Sequence, residues 1–208
     1  MKMKFTFLRY IIYAAIVYGL MEVMRLDALY DDDIVKFAES SYVEKLQNVL
    51  LGLMLIFLAF TKGFHGIRYL LLLIFGVFLI REQDAFLDST IGEHSWKMIS
   101  ITYTILLSYF IYKHRKSILT ELEKFISSAS SGILFLGFTT LLIFSRMFGR
   151  KKFWIVVEGT ENYTRDVKNA AEECTELFAY FILFIGVFEF FVFVQHMLKN
   201  KQEIKSIP

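Results

Sequence analysis

Cysteine and proline each occur once in this 208-residue chain, tryptophan twice and histidine four times. Each scarcity closes off a class of protein. A lone Cys174 leaves no internal disulfide and no multi-cysteine metal site. The single proline is Pro208, so no helix is interrupted by proline, and any break must come from glycine or polar residues. Charge of one sign is also lacking: 23 Lys and Arg face 21 Asp and Glu, a formal net of +2, which offers no surface for nucleic acid. No Glu-x-x-His motif of a di-iron bundle is present, nor the Gly-x-Ser-x-Gly elbow of a serine hydrolase. No repeat with a period of roughly 20–50 residues argues for a solenoid.

Apolar side chains are what the chain has in excess. They make up 56% of it, with 23 Phe and 11 Tyr, and the mean hydropathy is +0.50. That composition, drawn out in repeated long runs, predicts an all-α polytopic membrane bundle forming one integral membrane domain over residues 1–208. Six spans read out: Phe5–Met24, Glu44–Phe60, Tyr69–Leu87, Ser95–Lys113, Ser131–Phe148 and Glu172–His196. No small-x-small cleavage pattern follows the first apolar run, so it reads as a retained span. Between spans four and five, Arg115–Ser128 carries Ile118, Leu119, Leu122, Phe125 and Ile126 at helical spacing, opposite a charged face. This predicts an amphipathic helix along the interface.

Several apolar runs are short. Tyr69–Ile80 extends about 18 Å as a helix, whereas a hydrocarbon core is roughly 30 Å thick. The third helix is therefore expected to continue unbroken through Arg81, Glu82 and Asp84 toward Asp88, carrying those charges into one leaflet. Charges at such depth must face the bundle interior, pair, or line a watery cavity. Glu44, Gln47 and Asn48 open the second span, His94 and Lys97 the fourth, and Arg146 closes the fifth. Arg165, Lys168, Asn169, Glu172 and Glu176 form a stripe before the sixth, and Glu173 pairs with Glu176 at i, i+3.

Basic residues orient the bundle. Lys2, Lys4 and Arg9, then Lys62 and Arg68, then Lys113 to Lys116, then Lys199 to Lys205 mark one side. Asp27, Asp31, Asp32, Asp33 and Glu39 mark the other. Both termini are thus expected in the cytoplasm of a bacterium, with the acidic face outside its inner membrane. Arg146, Arg150, Lys151 and Lys152 dissent, because they fall on the outer side.

The candidate polar cluster is Arg81, Glu82, Asp84, Asp88, His94, Arg146, Glu172, Glu173 and Glu176. Arg81 or Arg146 is expected to pair with Asp84, Glu172 or Glu176. No cofactor is implied, apart from a divalent cation that Asp84, Asp88, His94, Glu172 and Glu176 have the oxygen and nitrogen donors to bind. A three-histidine zinc site is excluded on topology, since His65, His114 and His196 map to the cytoplasmic ends. Three functions stay open: transport or conduction of a cation or polar solute, membrane-embedded hydrolysis or group transfer on a lipid or periplasmic substrate, and a non-catalytic partner subunit. Membrane lipid is the expected partner, with homo-oligomers compatible with the small bundle.

Four motifs carry a resemblance: Arg81-Glu82-x-Asp84-Ala85-x-x-Asp88, His94-x-Trp96-Lys97, Ser145-Arg146-x-Phe148-Gly149, and Glu172-Glu173-x-x-Glu176. Over about Arg81 to Tyr180 the chain resembles an uncharacterised family of bacterial polytopic inner-membrane proteins. The resemblance implies a membrane bundle and no particular reaction.

Overall fold

The computed structural model describes residues 2–30, 37 and 41–205, and their side chains at 6–29, 37 and 41–200. Asp31, Asp32, Asp33 and Glu39, counted above as outer acids, lie outside the described residues. All regular structure among the described residues is helical: α1 (Lys2–Tyr30), α2 (Tyr42–Phe60), α3 (His65–Glu82), α4 (Asp84–Thr90), α5 (Ser95–Lys113) and α6 (Arg115–Ile126) in the first part. There follow α7 (Ala129–Thr139), a π-turn (Thr140–Phe144), α8 (Ser145–Phe148), α9 (Lys151–Glu158) and α10 (Arg165–Lys205).

Among the described residues, four stretches are long and apolar enough to cross a membrane: Thr6–Leu29, Tyr42–Phe60, Ala129–Phe148 and Arg165–Asn200. The expected third and fourth spans are not among them. Arg68, Arg81 and Glu82 charge α3, while Lys97 and a series of Ser, Thr and Tyr dilute α5. The third helix also departs from expectation in its course. It ends at Glu82, turns at Gln83 (φ −103°, ψ 18°) and restarts at Asp84, so the run expected to pass unbroken through Asp84 is interrupted. Asp84 supplies the cause: its Oδ1 accepts the adjacent Ala85 N–H at 2.6 Å, a local bond that competes with the helical ladder. Arg81 and Asp84 are exposed.

The chain forms two compact units. One comprises Met1–Gln47 and Phe135–Ile185, the other Asn48–Leu134 and Gly186–Pro208. In the first, α7 lies so close to α10 that a Cβ on Gly137 would stand 2.7 Å from the Leu183 side chain. Asp27, near the end of α1, is buried and accepts the Tyr42 N–H (2.9 Å) and the Val43 N–H (3.2 Å). It thereby caps α2 from 15 residues upstream.

In the second unit, Gly76 lets α5 approach α3, and Tyr103 fills the gap, donating from its hydroxyl to Leu72 O at 2.8 Å. The amphipathic α6 is tied to the start of α3 by Glu121, whose Oε2 accepts Gly66 N–H (2.8 Å) and Ile67 N–H (3.2 Å). His65 and His114 come together there, ring centroids 5.0 Å apart. Phe57, Phe64 and Phe125 pack edge-on or tilted against Phe188, Phe190, Phe191 and Phe193 of α10. In a lipid surround such close packing, rather than exclusion of water, holds helices together.

Candidate functional site

The polar stripe before the last span lies on continuous helix. α10 begins at Arg165, and one turn apart Lys168 Nζ and Glu172 Oε2 meet at 2.7 Å. Across from them Arg146 Nη1 donates to Glu172 Oε1 at 2.8 Å. Its Nη2 lies 3.3 Å from Glu176 Oε1, within ion-pair distance but without hydrogen-bond alignment. The two carboxylates are well covered (16% and 9% exposed), whereas the Arg146 side chain is 48% exposed. Surface screening therefore weakens this network relative to a fully dry one.

Local sequence explains why Arg146 arrives here. The π-turn Thr140–Phe144 adds a residue to one helical turn, and the helix resumes with Ser145 buried, its hydroxyl donating to Leu141 O. Arg146 follows on the side of α10. Gly149 then ends α8 against Glu172, where a Cβ would come within 2.8 Å of Glu172 Cβ. Phe148 stacks on Phe144 (5.4 Å) and meets Trp154 edge-on (5.2 Å), whose indole N–H donates to Phe148 O at 2.8 Å. Each of Ser145, Arg146, Phe148 and Gly149 thus has a distinct packing or charge role.

Beside this network the interior is polar again. Gln47 Nε2 lies 3.3 Å from both the carbonyl and the Oε2 of Glu173, 126 residues away, while Gln47 Oε1 is buried without a hydrogen-bond partner. Below the charged residues along the same helices runs an open groove of about 640 Å³. Its walls are Val17, Leu20, Met21 and Met24 of α1, Leu136 to Phe144 of α7 and the π-turn, and Cys174, Thr175 and Phe178 of α10. Three threonines line it, but their hydroxyl protons are already committed. Thr139, Thr140 and Thr175 donate to Phe135 O, Leu136 O and Ala171 O of their own helices at 2.8, 2.9 and 2.6 Å.

The other candidates belong to the second unit. Glu82 is half-buried, and His94 is exposed at the N-terminus of α5 with φ 66°. Asp88 caps that helix: its Oδ1 accepts the Ser95 hydroxyl at 3.1 Å. Desolvation pushes the Asp88 carboxyl up, but hydrogen bonds from the His94 backbone, the Ser95 hydroxyl and the Trp96 and Ser95 backbones prevail and hold it below its ordinary value. A carboxyl so depressed stabilises the fold above its unfolded pKa of about 3.9, and that contribution is lost as pH falls through the folded value. Asp88→Asn is therefore expected to flatten the decline in melting temperature of the wild type below about pH 4. An unchanged decline would remove Asp88 from the acid response.

Among the described residues no three His, Cys, Asp or Glu side chains gather to hold a metal. Asp27, Gln47 and Glu121 were not singled out from sequence as binding groups. Gln47 was read only as a polar residue opening the second span and Asp27 only as an outer acid, while Glu121 is an acid set into the amphipathic helix. No family model, curated protein or solved structure matches the chain.

Proposed function

We propose that this is an integral membrane protein that holds one lipid hydrocarbon chain in the groove between α1, the π-turn and α10. The observation that carries this reading is the groove wall. All three walls belong to stretches apolar enough to lie in hydrocarbon, and the only hydroxyls among the threonines lining it are already bonded to their own helices. Such a wall keeps no free threonine donor and is otherwise apolar apart from the Cys174 thiol, so it favours methylenes over a hydrated ion. Its volume falls within the roughly 300–1,000 Å³ of small-molecule sites. Met21 and Met24 give a flexible lining that adapts to chains of different shape. The π-turn contributes Thr140 and Phe144 to the wall, and such turns occur often at functional sites.

The same proposal takes α3 and α5 as two further crossings, six in all, in a bacterial inner membrane with both termini cytoplasmic. The basic ends of the helices support that placement. A second reading, transport of a cation or polar solute, is favoured by one observation. Asp27, Gln47 and Glu176 are all buried polar groups of the first unit, and Gln47 Nε2 lies 3.3 Å from Glu173 Oε2.

Photo-crosslinking tests the groove. The full chain, reconstituted with a phospholipid carrying a diazirine on its acyl chain, should be labelled at Met21, Thr140 and Thr175. Thr140→Trp, which fills the groove, should abolish that labelling. Label spread evenly over exposed lipid-facing residues such as Phe135 and Leu142, and indifferent to Thr140→Trp, would refute chain binding.

A further inference from the structure

The four basic residues on the unexpected side of the membrane acquire a role once the groove is in view. Arg146, Arg150, Lys151 and Lys152 fall within seven positions, and all four are exposed. The carboxylates that Arg146 meets are mostly covered, whereas the Arg146 side chain is about half exposed. Lys168, one-third exposed, adds to it from α10. The loop after α9 returns to it, with Lys151 Nζ over the Tyr163 ring at 5.5 Å from the centroid. Glu158 ends α9 six or more residues past the lysines, about 9 Å along the helix, and Glu161 and Asp166 follow it.

α9 itself is built for an interface. Lys151 and Lys152 open it, while Phe153, Val156 and Val157 leave large apolar surface exposed. Trp154 pins it to α8 through Phe148 O. An aromatic chain then connects this helix to the groove: Trp154 contacts Phe148, Phe148 stacks on Phe144, and Phe144 is part of the groove wall. A hydrocarbon site thus leads, within one unit of the protein, to a cluster of cations at its polar end.

We propose that Arg146, Arg150, Lys151 and Lys152 take the phosphate of an anionic lipid whose hydrocarbon chain occupies the groove. This rests on the chain-binding reading and adds the headgroup chemistry to it. Guanidinium and ammonium groups bind phosphate oxygens by charge-assisted hydrogen bonds, and a juxtamembrane basic cluster selects anionic over zwitterionic lipid. The excess of positive charge on an otherwise acidic side then reflects ligand recognition and not a reversed span.

Native mass spectrometry of the full chain, delipidated in a mild detergent, tests both layers. The probes are phosphatidylglycerol, phosphatidylcholine and diacylglycerol of matched chains, with glycerol phosphate as the headgroup alone. Phosphatidylglycerol should bind about tenfold more tightly than either other lipid, and the preference should shrink with salt. Lys151→Gln with Lys152→Gln should remove it. Arg146→Gln risks misfolding because it strands Glu172 and Glu176, so Arg146→Gln, Glu172→Gln and Glu176→Gln are combined in one neutral variant, which should lose it too. Equal binding of all three lipids, with Thr140→Trp lowering each, would overturn the headgroup assignment and leave the groove standing. Phosphatidylglycerol binding untouched by Thr140→Trp would overturn the groove and the proposal that depends on it. Glycerol phosphate binding as tightly as the lipid would show a soluble-anion site and overturn the proposal as well.

Discussion

Valine in place of Gly137 will melt the protein far below the wild type. The Cβ of any larger residue at 137 would stand 2.7 Å from Leu183 Cγ, 2.8 Å from its Cδ2 and 3.1 Å from its backbone nitrogen. A side chain can rotate away, but the Leu183 nitrogen belongs to the α10 backbone and Leu183 is fully buried. The two helices must therefore separate, losing the dispersion contacts that a small residue permits in membrane packing. Overpacking of this kind costs about 1–3 kcal/mol and occasionally more, and the valine branch places this variant at or above about 3 kcal/mol. Alanine should fall between glycine and valine. Gly19 in α1 is the control, because a Cβ there meets no atom within 4 Å. Gly19→Ala should be neutral or slightly stabilising, since glycine is about 1 kcal/mol worse than alanine inside a helix. The measurement is thermal unfolding in one detergent for all variants. Equal melting of Gly137→Val and Gly19→Ala would show that the close approach is not a constraint.

Gly137 also shows where the sequence stops being readable. Helical periodicity and apolar run length located several of the helices, though not α9 or the start of α10 at Arg165. Ser95–Lys113 emerged with the bounds expected for it, and Arg115–Ile126 is the amphipathic helix that its spacing implies. Neither signal reports what one helix meets on another. Whether a glycine is a contact point or an idle gap depends on a partner tens of residues away, and Gly137 and Gly19 look alike in the chain.

Charge was legible in the same partial way. A stripe at spacings of three and four correctly put Lys168 and Glu172 within one turn, since that depends only on helical geometry. The short apolar run before Arg81 gave a sound argument for polar residues entering the helix region. It had no way to register that Asp84 would turn to its neighbour's amide and interrupt the helix at Gln83. Gln47 and Glu173 are close only because α2 and α10 are, a fact of tertiary structure. The groove was invisible for a related reason: its lining is ordinary span sequence, and it exists because three helices fail to close upon one another.

Asp27 was the most misleading residue of all, because it stands at the edge of an acidic stretch and reads as one more outer charge. The residue is instead 1% exposed, and its carboxylate holds the first two N–H groups of α2 at 2.9 and 3.2 Å. Asp27→Leu should therefore destabilise by about 2–3 kcal/mol: a lost cap costs roughly 0.5–2 kcal/mol, and buried donors left unbonded add their desolvation. Asp27→Asn keeps one acceptor oxygen and gives up the charge, so about 1 kcal/mol is expected. Hydrogen exchange over residues 42–47 separates a cap from a general packing role. The leucine variant should expose the amides of Tyr42 and Val43 first, and the asparagine variant only weakly. Because α2 carries Gln47 to Glu173, fraying at Tyr42 should also loosen that contact, measured as faster exchange around Glu173. Leucine and asparagine variants with the same melting temperature and exchange as the wild type would show that Asp27 holds nothing in place, and that the start of α2 is fixed by its apolar packing alone.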